Sequence, residues 1–250
     1  MKLEGKKALI TGGSTGIGRE TVYLFAKEGA DIVFTYLDNQ EEAEQMCSEI
    51  KEKYGHGAMA VYTDVSSEDQ VKELVKQTLE ELGKIDILVI SAGILQRIPF
   101  DQLTTKDWQR MIDINLNGTF YCIHEVLPLM LEKGYGRIIT VSSQLGQKGG
   151  PEVGHYAAAK GAIIALTKSL ARAYSTKGIN INSVAPGPIM TSMTTDLFAD
   201  TIESDKKLLP LGRQGEAFEV APSILFLASS PEGDIFVGQT LGPNSGDVML

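Results

Sequence analysis

The stretch KKALITGGSTGIGRE, Lys6 to Glu20, runs from a short apolar segment through spaced glycines into a helix-forming one. A strand, this turn and then a helix is the setting that a dinucleotide-binding fingerprint requires. Gly12 permits the tight turn, Gly16 lets the backbone approach a diphosphate, and Gly18 allows close helix packing. The first helical turn adds free N–H groups and the positive end of the helix dipole. Gly12, Ser14, Thr15, Gly16, Ile17 and Gly18 are therefore the first candidate cofactor contacts. The bland alternative is an ordinary glycine-rich turn, and the rest of the chain weighs against it.

Downstream of Glu20 the pattern is regular. DIVFTY, AMAVY, DILVI, RIITVS and ININSV are short β-rich runs. Helical patterns separate them, reaching about Gly29, Tyr54 and Leu82, then running from about Lys106 to Glu132 and through HYAAAK. The alternation predicts an α/β fold, a parallel sheet covered by helices on both faces. No Pro/Ser-rich linker or repeat divides it, so residues 1–250 read as one domain. Between 187 and 210 the pattern loosens into PIMTSMTTDLFADTIESDKKLLP. That segment suits a mobile substrate-side flap or a permanently packed helical insertion.

A formal net charge of -9 argues against nucleic acid and anionic membrane surfaces as partners. No run approaches the roughly 18 apolar residues of a membrane span, and MKLEGKKALI has no apolar signal core. A cytoplasmic protein is the expectation. Cys47 and Cys122 lack the spacing of a zinc site or redox pair and read as reduced, structural thiols. His56 and His124 show no ligand spacing, so no metal site is expected.

In HYAAAK, His155 to Lys160, Tyr156 and Lys160 stand four residues apart and share a helical face. Acid–base work near neutrality needs the phenol brought down from its ordinary value, which takes about 3 to 4 kcal/mol. A cation about 4 Å away supplies about 4 kcal/mol at an effective dielectric of about 20. Lys160 is spaced to be that cation, although an exposed i,i+4 contact explains the pair in isolation. Ser143 closes RIITVSS, where a hydroxyl can hydrogen-bond an oxygen that gains charge.

Together, TGGSTGIG, Ser91-Ala92-Gly93, Asn115, Ser143, the YAAAK of Tyr156 to Lys160, and Pro186-Gly187 followed by Thr191 resemble the short-chain dehydrogenase/reductase family. The likeness spans nearly the whole chain, includes the thirteen-residue interval from Ser143 to Tyr156, and points to the branch of 3-oxoacyl-carrier-protein reductases and glucose 1-dehydrogenases. It implies a single doubly wound Rossmann-type domain with a mainly parallel, seven-stranded sheet. The implied activity is an NAD(P)-dependent interconversion of a secondary alcohol and a ketone or related carbonyl. Tyr156 would then be the proton donor, Lys160 its activating cation and ribose contact, and Ser143 a donor to the reacting oxygen. Asn115 would support a water-linked proton path, or else be a polar helical residue satisfied by backbone. The resemblance adds Ala92, Gly93, Pro186, Gly187, Ile189 and Thr191, with Tyr156 and Lys160, to the cofactor contacts. Asp64 and Val65 resemble the pair at the adenine; Asp64 also reads as a turn residue leading a helix. One departure stands out, Ile90-Ser91 where the family often has Asn-Asn, which removes amides that brace the sheet and cofactor.

Tyr36 stands where NAD-preferring relatives often carry an acid, and Leu37 where NADP-preferring relatives often carry arginine. Thr15 is not cationic and Asp38 would oppose a 2′-phosphate, so NAD is favoured over NADP; hydroxyls and Asn39 leave a route for holding the phosphate. Gln96, Gln144, His155 and Met190 are the candidate substrate contacts. They favour a small polar, sugar- or polyol-like alcohol or carbonyl, with His155 alternatively a surface or capping residue. The rival enzyme is a ketoreductase of carrier-bound 3-oxoacyl groups. A non-catalytic nucleotide-sensing module is the rival of another class, and it would not need Tyr156 and Lys160. Family precedent implies a homotetramer packed through the long helices.

Overall fold

A computed structural model describes residues 1–195 and 207–249. The first half of the chain runs β1 (Lys7–Thr11), α1 (Gly16–Lys27), β2 (Asp31–Tyr36), α2 (Gln40–Tyr54), β3 (Ala58–Tyr62), α3 (Glu68–Leu82) and β4 (Ile87–Ile90). Then come α4 (Thr105–Ile112), a π-helical turn (Asp113–Asn117), α5 (Gly118–Lys133), β5 (Gly136–Val141), α6 (Leu145–Lys148), α7 (Gly154–Tyr174) and β6 (Ile179–Val184). The remainder is β7 (Ile189–Met190), α8 (Ser192–Thr195), β8 (Gly215–Glu216), α9 (Ala217–Ala228) and β9 (Thr240–Leu241). Of the segment 187–210 expected to form a flap, residues 196–206 lie outside the described residues.

Seven strands form one sheet in the order β3-β2-β1-β4-β5-β6-β9, and β7 pairs with β8 separately. Every neighbouring pair in the large sheet is parallel. Successive side chains on a strand point to opposite faces, and here both faces are covered, which is why the strands read as unbroken apolar runs. Ile10, Ile32, Val89 and Ile139 pack with Phe25 of α1, Met46 of α2 and Ile224 of α9. Their neighbours Leu9, Val33, Leu88 and Ile138 pack with Leu74 of α3, Val126 of α5 and Ala171 of α7. Each fully buried large side chain contributes roughly 1.5–3 kcal/mol. Cys122 belongs to the second cluster, and burial pushes its thiol up to about 12, the behaviour of a packing residue.

The helix expected from Lys106 to Glu132 is broken in phase rather than in direction. Thr104 and Asp107 form a capping box that starts α4, and the π turn then inserts an extra residue before α5. Such turns are frequent at functional sites, and this one holds Asn115. Among the described residues no helix is long and apolar enough to cross a membrane. The strand order reverses between β1 and β4, and in open parallel sheets ligands bind beyond the strand ends at such a reversal.

Candidate active site

At that reversal the fold opens a cleft of about 570 Å³. Its first wall is the glycine loop. The Gly12 amide donates to Thr35 Oγ1 at 2.8 Å and the Gly13 amide to Thr35 O at 3.0 Å, pinning the loop to β2. Gly12 has φ +64°, and a Cβ there would lie 2.8 Å from the Ala92 backbone. A Cβ on Gly18 would stand 2.0 Å from Gly12 O, so only glycine lets α1 start so close to β1. Thr15 caps α1 without a side-chain hydrogen bond, and α1 has no acid in its first turn. By contrast, α2, α3 and α4 begin with Glu41 and Glu42, Glu68 and Asp69, and Asp107. The positive end of α1 is thus left for an exogenous anion, and a dinucleotide diphosphate fits it.

Ser91 and Ala92 continue from β4 along the floor. Ser91 N donates to Thr11 O at 3.2 Å and Ala92 N to Thr11 Oγ1 at 3.3 Å. The Thr11 hydroxyl therefore braces the segment that lacks the usual asparagines. Thr15, Gly16, Ile17, Gly93, Pro186, Gly187, Ile189 and Thr191 line the cleft with Gly12, Ala92, Tyr156 and Lys160. Ser14 is buried in the loop. Tyr36, Leu37, Asp64 and Val65 are not among the cleft-lining residues; Tyr36 ends β2, Leu37 follows it, and Asp64 and Val65 lie past the end of β3. Tyr36 meets Tyr62 edge to face at 5.9 Å, and Leu37 is exposed. The Asp64 carboxylate accepts from Ser66 N at 2.9 Å and Ser66 Oγ at 2.6 Å, as a turn residue does, and Val65 packs beneath Gly118.

The opposite wall is α7 with the end of β5. Lys160 is only 5% exposed, which removes the reading of Tyr156 and Lys160 as an exposed i,i+4 contact. Its Nζ donates to Val141 O at 2.9 Å and lies 5.7 Å from the centre of the Tyr156 ring. The expected lowering of the phenol by this cation is not found in the chain alone. Burial pushes Tyr156 up to about 12, although a hydrogen bond from Ser143 pulls the other way. Burial likewise pulls Lys160 down to about 8. Desolvation outweighs a cation that is turned toward a carbonyl rather than toward the hydroxyl.

Asn115 is fully buried. Its Nδ2 donates to Ile94 O at 3.1 Å and Met111 O at 3.2 Å, while its Oδ1 has no partner. A Cβ on Gly93 would lie 2.5 Å from that oxygen and 3.5 Å from Lys160 Nζ, so both atoms converge on the bare face of Gly93. The amide is thus satisfied by backbone on one side and open on the side facing the lysine. A Gly93→Ala substitution is expected to lower turnover by about tenfold or more by displacing one of these groups. Steady-state kinetics beside a thermal melt separates this from unfolding; unchanged turnover in a folded variant would show that the crowding is harmless.

Of the four candidate substrate contacts only Gln144 lines the cleft. His155 is neither a surface nor a capping residue: it is 0% exposed, both ring nitrogens lack partners, and burial holds its pKa below the usual value despite Asp107. Met190 is exposed, and Gln96 lies beside the lining rather than in it. The walls are instead apolar, with Ile94, Leu95, Leu145, Val153, Met193 and Leu209. Apart from Lys160, the charged residues of the described lining are paired: Arg97 donates to Glu152 through Nε at 3.0 Å and through Nη2 at 2.8 Å, and Lys148 pairs with Asp247. Asp247 escapes a reading of the sequence because nothing local ties it to a wall built about a hundred residues earlier.

A parallel doubly wound sheet, a glycine cradle for a dinucleotide, and a serine, tyrosine and lysine gathered beside it define a nicotinamide-dependent oxidoreductase. The family model for short chain dehydrogenases matches residues 6–202, and the chain belongs to that family of NAD(P)-dependent oxidoreductases. It is 39% identical over 248 residues to the 3-oxoacyl-[acyl-carrier-protein] reductase of Synechocystis sp., covering 99% of each chain. It is likewise 39% identical to the 3-oxoacyl-[acyl-carrier-protein] reductase FabG of Thermotoga maritima, covering 100% of both. Among solved structures, a blue fluorescent protein from a metagenomic library in complex with NADPH superposes with a TM-score of 0.93 at 36% identity over the full length of both chains. A glucose/ribitol dehydrogenase from Brucella melitensis superposes with a TM-score of 0.91 at 34% identity, covering 100% of this chain and 99% of that one.

Proposed function

We propose that this oxidoreductase is an NADPH-dependent ketoreductase of 3-oxoacyl groups carried as thioesters. The observation that carries the reading is the apolar cleft wall leading to Ser143 and Tyr156, which suits an acyl chain and offers a sugar few partners. The relatives named 3-oxoacyl-[acyl-carrier-protein] reductase support it. The small polar substrate expected from Gln96, His155 and Met190 gives way to it, because those side chains are not part of the wall. NADPH is taken as the reductant on the strength of the NADPH-bound neighbour, in place of the NAD favoured by Leu37 and Asp38.

A nicotinamide dinucleotide held along Gly12 to Gly18, Ala92, Gly93 and Pro186 to Thr191 supplies the hydride when bound. The chain supplies the rest. The apolar walls exclude water and align the acyl chain. The Ser143 hydroxyl and the Tyr156 phenol converge on the ketone oxygen. Burial keeps the phenol protonated at neutral pH, so it gives its proton to the oxygen as negative charge develops there. Lys160, with the open Asn115 carbonyl behind it, restores that proton. Assembly as a homotetramer belongs to the same reading, supported by the half-exposed Trp108 and Phe120 on α4 and α5.

Fluorescence titration with NADPH and NADH is expected to show tighter NADPH binding. Turnover is then expected with a 3-oxobutanoyl thioester of N-acetylcysteamine and not with glucose or ribitol. Preferred oxidation of a polyol would replace the acyl reading with a polyol one. Dinucleotide binding without turnover of any ketone or alcohol would leave a nucleotide-binding module. Tighter NADH binding would return the choice of cofactor to the cation-free turn after β2.

A further inference from the structure

We propose that Gln144 is a specificity-determining residue that accepts a hydrogen bond from a donor on the substrate, namely the first amide N–H of a thioester-linked arm. The inference rests on the ketoreductase reading and adds to it which feature of the arm is recognised. Gln144 follows Ser143 directly, is 4% exposed, and lines the cleft. Its backbone N donates to Pro186 O at 3.0 Å, which fixes the residue at the head of α6.

Its side chain is oriented by charge. Nε2 donates to Asp247 Oδ2 at 2.5 Å, and the same carboxylate pairs with the Lys148 ammonium. A carboxylate in an ion pair only accepts hydrogen bonds, so it takes the NH₂ and forbids the flipped amide. The carbonyl oxygen is thereby left on the other side, buried and without a partner. A buried acceptor without a donor is unfavourable, and a ligand that brings one relieves it, whereas a ligand without one does not.

The ketone, the thioester carbonyl and the acyl chain of a 3-oxoacyl thioester have no polar donor. The first N–H lies two methylenes beyond the sulfur, on the arm rather than on the acyl group. An acceptor beside Ser143, whose charged neighbours Asp247 and Lys148 already satisfy each other, is suited to that group. The enzyme then distinguishes a carried acyl chain from a free ketone of the same shape by a single donor.

The test compares kcat/KM for the 3-oxobutanoyl thioester of N-acetylcysteamine with that of its oxygen analogue, in which an ester oxygen replaces the amide N–H. The full-length enzyme is expected to favour the amide compound by about tenfold or more, which is about 1.4 kcal/mol. Gln144→Leu is expected to bring the two within about twofold, the loss falling on the amide compound. Asp247→Asn, which lets the Gln144 amide turn over, is expected to fall between. The ester compound reports on folding, since an enzyme that still reduces it is intact. Equal rates on both compounds in the unsubstituted enzyme would overturn the inference and leave the ketoreductase reading standing, as would full discrimination retained by Gln144→Leu. Reduction of neither compound would overturn the ketoreductase reading, and this inference with it.

Discussion

A Tyr156→Phe enzyme will lose nearly all turnover while folding and binding dinucleotide as the unsubstituted chain does. The substitution deletes one oxygen from a half-buried ring and keeps its shape, so the loss reports proton transfer rather than packing. A positioned general acid contributes about 10² to 10⁴ in rate, and a fall in that range is expected. In the oxidative direction the phenol must ionise first. Burial holds it at about 12, so the oxidative rate will climb through alkaline pH and the climb will be absent from the phenylalanine enzyme. Dinucleotide titration and pH–rate profiles check both statements. A variant that retains more than about a tenth of the parent turnover would show that the proton comes from elsewhere.

Replacing Lys160 with methionine will abolish turnover and stabilise the fold at neutral pH. Burial holds the folded-state pKa at about 8, below the ordinary value of 10.5. The unfolded chain therefore binds more protons between these values, and stability rises with pH across that window. Below pH 8 the full cost of burying the charge is present, about 3 kcal/mol. Losing the hydrogen bond to Val141 O returns about 1 kcal/mol. The net gain of about 2 kcal/mol corresponds to a Tm higher by about 5 °C in a domain of this size. The gain will shrink as the pH rises, vanish near about pH 10, and become a deficit of about 1 kcal/mol well above 10.5, where only the lost hydrogen bond counts. In the unsubstituted enzyme kcat/KM for reduction will fall above about pH 8 as Lys160 loses its proton. Melting both proteins at pH 7 and pH 10 is the check, and a methionine variant that melts lower at pH 7 would mean that the ammonium is not a burden on the fold. Such a burden at a reacting centre is the usual trade of stability for activity.

How much of the fold and site is legible in the sequence depends on the range over which each feature is written. The glycine loop is legible because three of its glycines fall within seven residues and each answers a backbone demand: Gly12 and Gly16 take positive φ, and Gly18 meets Gly12 O. The sheet is legible because covering both faces leaves apolar runs with no polar alternation. Tyr156 and Lys160 are legible because helical periodicity alone brings them together. Their protonation is not, since desolvation depends on which chain segments close over the helix, and the spacing that suggests a lowered phenol says nothing of that. The polar substrate expectation fails for a related reason: a residue type next to a site does not say which way its side chain points. His155 turns into the protein, and Gln144 becomes informative only through Asp247, 103 residues away. The π turn is hidden because an extra residue in a helix leaves composition and periodicity almost unchanged over one turn.

That π turn bears on how positions are compared between proteins. One surplus residue advances a helix by roughly 100°, so α4 and α5 obey one count each and no common one. Met111, Asn115 and Thr119 stay connected across the break through Asn115 Nδ2 to Met111 O and Thr119 Oγ1 to Asn115 O, at 3.2 and 2.7 Å. Alignment against a homologue with an uninterrupted helix must therefore open a gap within Asp113–Asn117. If the gap is misplaced upstream or downstream, residues that look equivalent by number will be solvent-facing in one protein and core-facing in the other.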